Sequence, residues 1–79
     1  MKKRLTVDEV FGQVLRNLRS RMGKTQEAVA LDAGLDRTYI SMLERGLRQP
    51  SLETVLALAH GLGIAASEIV AMVEAQVHS

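Results

Sequence analysis

The sequence predicts an all-α chain, a compact bundle of five short helices, and three observations predict it. Hydrophobic residues make up 47% of the chain, yet there is one Phe, one Tyr and no Trp, so any core is aliphatic. Apolar residues recur at three- and four-residue steps, the spacing of a helix face. Capping residues and glycines punctuate those runs at helix length. Seventy-nine residues permit one domain, with a core over about 6–78 and a short tail at 1–5.

Residues 1–5 are basic. Lys2, Lys3 and Arg4 could reach a phosphate or a minor groove, although a solvated end is the plainer reading. Thr6-Val-Asp-Glu9 has the form of a capping box, with Thr6 at the cap and Glu9 three residues on. The first helix runs from there to about Met22, and Gly23 ends it. Val7, Val10, Phe11, Val14, Leu15, Leu18 and Met22 form its apolar stripe. Arg16, Arg19 and Arg21 project from the remaining surface.

Lys24 to Pro50, KTQEAVALDAGLDRTYISMLERGLRQP, reads as two short helices joined by a tight turn. Thr25 caps the first, with Gln26 and Glu27 in its opening turn. Ala28, Val29, Leu31 and Ala33 are its apolar residues, and Gly34 stops it because glycine tolerates the left-handed conformation. Leu35 fills the corner. Asp36 stands at the cap of the second, in which Ile40 and Leu43 share a face. Gly46 ends that helix and Pro50 forbids its early resumption. Two helices this short do not stand alone in water.

Ser51 caps a fourth helix, with Glu53 in its positive first turn. Leu52, Val55, Leu56, Leu58, Ala59 and Leu62 nearly surround it, which places it centrally in the core, and Gly61 and Gly63 end it. His60 lies within it with no second ligand at helical spacing, so a metal role is not expected. A fifth helix begins near Ala66, with Ser67 a weak cap. Its Ile69, Val70, Met72, Val73 and Val77 spread over an arc of about 160°, wider than one contact with a small domain requires. Ile69, Val70, Val73 and Val77 are therefore candidates for a homodimer interface.

The free face of the third helix carries Arg37, Thr38, Ser41 and Met42, with Tyr39 at its flank and Arg45 and Arg48 beyond. A short helix with donors at its N-terminal end and cations around it suits a DNA major groove. The runs TQEAVA, AG-L-D, YISMLERG and QPSLETVLALA resemble the Cro/phage-repressor (XRE-type) helix-turn-helix family, over about residues 8–70. The resemblance implies a phage-repressor-like fold whose second and third helices form the helix-turn-helix. It implies a duplex-DNA operator as partner, with Gln26 and residues 37, 38 and 42 at the DNA. It also implies an ion pair between Arg19 and Glu44, which spacing alone could not suggest. Base reading is assigned to Arg37, Thr38, Tyr39, Ser41 and Met42, and phosphate contact to Lys24, Thr25, Gln26, Arg45 and Arg48.

All ten Lys and Arg lie within residues 1–48, beside six acids, whereas residues 49–79 hold three acids and no Lys or Arg. A basic part and an acidic part imply one face for an anionic partner and another for something else. No catalytic motif is present: no cysteine, no glycine-rich phosphate loop, no histidine pair at metal spacing. The six glycines read as helix punctuation. The expectation is a transcriptional regulator rather than an enzyme, without cofactor, metal or small-molecule effector. It is expected to be cytoplasmic, with no membrane segment or secretory signal. It would bind a palindromic operator as a dimer, with RNA polymerase as a further candidate partner. The LDRTYIS segment resembles restriction–modification controller proteins, and antitoxins share the fold. A helical protein-interaction module without DNA binding is the alternative from another class; the Arg37, Arg45 and Arg48 cluster argues against it.

Overall fold

The computed structural model describes residues 4–78. Lys2 and Lys3, read above as most simply part of a solvated end, lie outside the described residues. Five helices follow one another: α1 Val7–Arg21, α2 Gln26–Ala33, α3 Arg37–Glu44, α4 Leu52–Leu62 and α5 Ala66–Val77. No strand occurs among the described residues. α1 packs on α3 and α5, α2 on α3 and α4, and α4 on α5. Among the described residues, no single helix is long and apolar enough to cross a membrane.

Local chemistry accounts for the helix starts. Thr6 and Glu9 close a reciprocal capping box at 3.1 and 2.9 Å. Thr25 accepts from the Ala28 amide at 3.0 Å, and Ser51 from the Thr54 amide at 3.1 Å. Two expected caps are not made. Asp36 occupies the extended cap position of α3 but its carboxylate makes no capping hydrogen bond. Ser67 lies inside α5, whose cap position is held by Ala65 with no side-chain bond.

The core is aliphatic apart from Phe11. Leu15, Val29, Ile40, Leu43, Leu58 and Ile69 are its fully buried side chains, drawn from all five helices. Each such burial is worth roughly 1.5–3 kcal/mol, which is how two eight-residue helices persist in water. Apolar spacing overestimates the core in three places, the first being the ends of the α1 stripe, where Val7 and Met22 are exposed. Leu31 is 82% exposed, because the apolar residues of α2 lie all round it and spacing selects no face. Leu52 and Leu56 also face outward, so α4 is central along one side only.

Gly34 and Gly46 adopt the left-handed backbone that ends α2 and follows α3, with φ of 71° and 72°. Gly12 and Gly61 do not punctuate anything. Both lie inside helices, α1 and α4, and both are buried where a neighbour comes close.

Candidate nucleic-acid interface

Arg37 and Thr38 stand exposed at the start of α3, one turn before the partly exposed Ser41 and Met42. With no capping bond from Asp36, the first amides of α3 have no side-chain acceptor. The N-terminus of α2 lies beside this end. Thr25 accepts from the helix there, which leaves its hydroxyl proton available to an anion. The remaining first-turn amides of α2 carry partial positive charge, as helix starts do.

A run of hydrogen bonds links α1 to this surface. Arg19 donates from Nε to Glu44 Oε2 at 2.6 Å, from Nη2 to Glu44 Oε1 at 3.1 Å, and from Nη1 to the Lys24 carbonyl at 2.8 Å. The two side chains are 16% and 4% exposed, so the pair is largely withdrawn from water. The Glu44 hydrogen bond, opposed by burial and aided by the carboxylate's charge, raises the Arg19 pKa above its ordinary value. Gln26 Nε2 then donates to Glu44 Oε1 at 3.0 Å. Glu44 only accepts, so the Gln26 amide must turn its nitrogen inward and its oxygen outward. That oxygen receives Nη1 of Arg37 at 3.3 Å. Arg37 thus reaches the surface with one donor lightly held and the rest of its fork free.

Several residues assigned from sequence take other positions. Lys24 does not face outward with Gln26: its Nζ donates to Asp32 Oδ2 at 3.0 Å and to the Gly61 carbonyl at 2.8 Å. It ties the loop before α2 to the C-terminal end of α4, a position that favours a cation. Tyr39 packs against the core, its hydroxyl 3.3 Å from Thr54 Oγ1, and so leans toward α4 rather than standing with Arg37. Arg45 and Arg48 are exposed, with Arg45 Nε donating to the Ser41 carbonyl at 3.3 Å. Of the candidate dimer residues, Ile69 is 1% exposed and belongs to the core, so it cannot be offered to a partner. Val73 packs partly against the core, while Val70 and Val77 are exposed at 52% and 42%.

Sequence reasoning missed the join between Gln26 and Glu44 and the close seat of α3 on Gly12. The first had no local signal, because the residues lie 18 apart. The second had one: glycine in the middle of a strong helical stripe is unfavourable there unless a contact requires it. Among the described residues, no group of three His, Cys, Asp or Glu is placed to hold a metal ion.

Comparison with known proteins extends this geometry. A helix-turn-helix family model (HTH_3) matches residues 15–69. Control protein C.BamHI of Bacillus amyloliquefaciens is 41% identical over 56 residues, 70% of this chain and 69% of that one. The crystal structure of the restriction-modification controller protein C.AhdI from Aeromonas hydrophila superposes with a TM-score of 0.76 at 45% identity, covering 78% of this chain and 94% of the other. The controller protein C.Esp1396I, crystallised as a tetramer with its natural 35 base-pair operator, superposes at 0.85 with 26% identity, covering 96% and 100%.

Proposed function

Because this chain belongs to the helix-turn-helix family, we propose that it is a sequence-specific regulator of transcription that places α3 in the major groove of an operator. The observation that carries the reading is the hydrogen-bonded run from Arg19 through Glu44 and Gln26 to Arg37. It fixes the two helices of the motif to each other and to α1, and it ends on a guanidinium with one donor lightly held and the rest of its fork free. Arg37 donates twice to a guanine, Thr38 and Ser41 bond base edges or phosphate, and Met42 meets a thymine methyl. Thr25 and the start of α2 take one phosphate, and Arg45 and Arg48 take others. Gln26 keeps one amide proton for a phosphate while its other is engaged by Glu44.

The regulator acts as a homodimer on a two-fold operator, through Val70, Val77 and neighbouring exposed apolar side chains of α4 and α5. The restriction-modification controller protein C.AhdI and the control protein C.BamHI are of similar length, and they support control of a restriction–modification operon by this chain, in the cytoplasm and without catalysis. RNA polymerase is then the further partner where the operator adjoins a promoter.

The test is selection from a random duplex library, followed by footprinting on the promoter of the chain's own gene. An inverted repeat should be enriched, with half-sites about one helical turn apart. A library that shows no enrichment at low salt, with the protein folded, would sink the reading in favour of a protein-interaction module.

A further inference from the structure

Gly12 lies in the middle of α1 with an ordinary helical backbone, so no turn requires a glycine there. Intrinsic helix preference would favour alanine. The contact it makes explains it. A Cβ placed on Gly12 would collide with the carbonyl oxygen of Leu43. It would also stand 2.6 Å from that of Glu44 and 2.9 Å from the Glu44 carbonyl carbon. These are backbone atoms at the end of α3, and no rotamer change moves them. A carbon approaches a carbonyl oxygen to about 3.3 Å, so α3 would have to retreat by roughly 0.9 Å.

The retreat could not be a simple translation. Ile40 and Leu43 are fully buried on the same helix. Glu44 is held by Arg19, seven residues along α1 from Gly12. Just past α3, Gly46 rests on Glu9, where an added Cβ would lie 2.8 Å from Cγ. A push at Gly12 between these anchors tilts α3 and shifts its N-terminal end, which carries Arg37 and Thr38. Packed cores pass on such strain and do not absorb it.

We propose that Gly12 is a positioning residue for base reading: by lacking a side chain, it sets the depth and tilt at which α3 is presented to DNA. The inference rests on the DNA-reading role proposed above. It concerns selectivity, because phosphate contacts tolerate a small tilt whereas bidentate contacts to base edges do not.

The experiment compares wild type, Gly12→Ala and Leu62→Ala, the last a core truncation in α4, which packs on α2 and α5. Affinity is measured for the duplex selected by wild type and for its scrambled counterpart at one salt concentration, with thermal melting alongside. Gly12→Ala should lose roughly tenfold in the ratio of the two affinities. Its scrambled affinity should stay within about threefold of wild type. Leu62→Ala should lower the melting temperature and keep the ratio. A folded Gly12→Ala that retains the wild-type ratio overturns the proposal, as does a Leu62→Ala that loses it equally. If Gly12→Ala is unfolded at room temperature, the comparison is made in the cold with trimethylamine N-oxide, which favours burial. Failure to fold even there makes the contact a requirement of the fold and overturns the positioning role. A wild type with no preferred duplex instead overturns the DNA reading itself, and this inference with it.

Discussion

Arg37 and Arg48 carry the same charge and should do different work. Arg37 stands first in α3, and Gln26 orients it with one weak hydrogen bond. Its fork matches the paired acceptors of guanine, which lysine cannot reproduce. Arg37→Ala should cost about 1–3 kcal/mol on the selected operator and far less on scrambled DNA. Arg48 lies beyond Gly46, past the end of α3, where backbone contact is the natural role. Arg48→Ala should weaken both duplexes alike and reduce the salt slope by about one unit. Titrations of both variants against both duplexes at several salt concentrations decide this; equal losses for Arg37→Ala would make it a phosphate clamp. Lys24 gives the opposite case. Its ammonium is spent on Asp32 and the Gly61 carbonyl. Lys24→Met should therefore leave the salt slope unchanged and lower stability by about 1 kcal/mol in a denaturant melt. A slope reduced by one unit would return Lys24 to the DNA.

At the scale of the element, the two helices of the motif depend on neighbours they do not touch in sequence. α2 and α3 have eight residues each, too few for independent stability. Ile40 and Leu43 bury one side of α3, and the Arg19–Glu44 pair ties its end to α1. Because Glu44 also holds the Gln26 amide, removing it strands the Arg19 charge and frees Gln26 together. A double-mutant cycle with Arg19→Met and Glu44→Gln should show coupling of about 1–3 kcal/mol in stability. Coupling near zero would mean that the pair is incidental. The raised pKa of Arg19 keeps it cationic far above neutral pH. Its share of the pair's stability is thus present throughout the neutral range and is lost only as pH rises through that raised value.

At the scale of the whole molecule, charge is divided along the chain. Every Lys and Arg precedes residue 49, while α4 and α5 carry acids but no Lys or Arg and expose Leu52, Leu56, Val70 and Val77. Apolar side chains on an acidic surface suit self-association better than DNA. A two-fold dimer doubles the small area one α3 can bury in a groove. Sedimentation at micromolar concentration should give twice 8.6 kDa. Val70→Glu should return it to the monomer without loss of helix, since the side chain is exposed in the single chain. A wild-type monomer with undiminished operator affinity would exclude the dimer.

The sequence by itself determined whatever is settled within a few residues. The capping box at Thr6, the caps at Thr25 and Ser51, the left-handed end at Gly34 and the buried stripe from Val10 to Leu18 all arise from contacts three or four positions apart. Spacing shows such contacts directly. It also brought Arg37 and Thr38 to an exposed helix start, and the family resemblance added the Arg19–Glu44 pair, whose members are 25 residues apart. Only the tertiary structure decided the rest. A glycine inside a helical stripe signals a close contact, but the sequence does not say which backbone it admits, as Gly12 admits that of Leu43 and Glu44. A lysine beside a helix start reads as a phosphate ligand until the chain folds a carbonyl 37 residues away to within 2.8 Å of it. Leu31, Leu52 and Leu56 have core composition but no neighbour to cover them. In each case the side chain's chemistry offers several uses, and the choice depends on what distant segment the fold puts next to it.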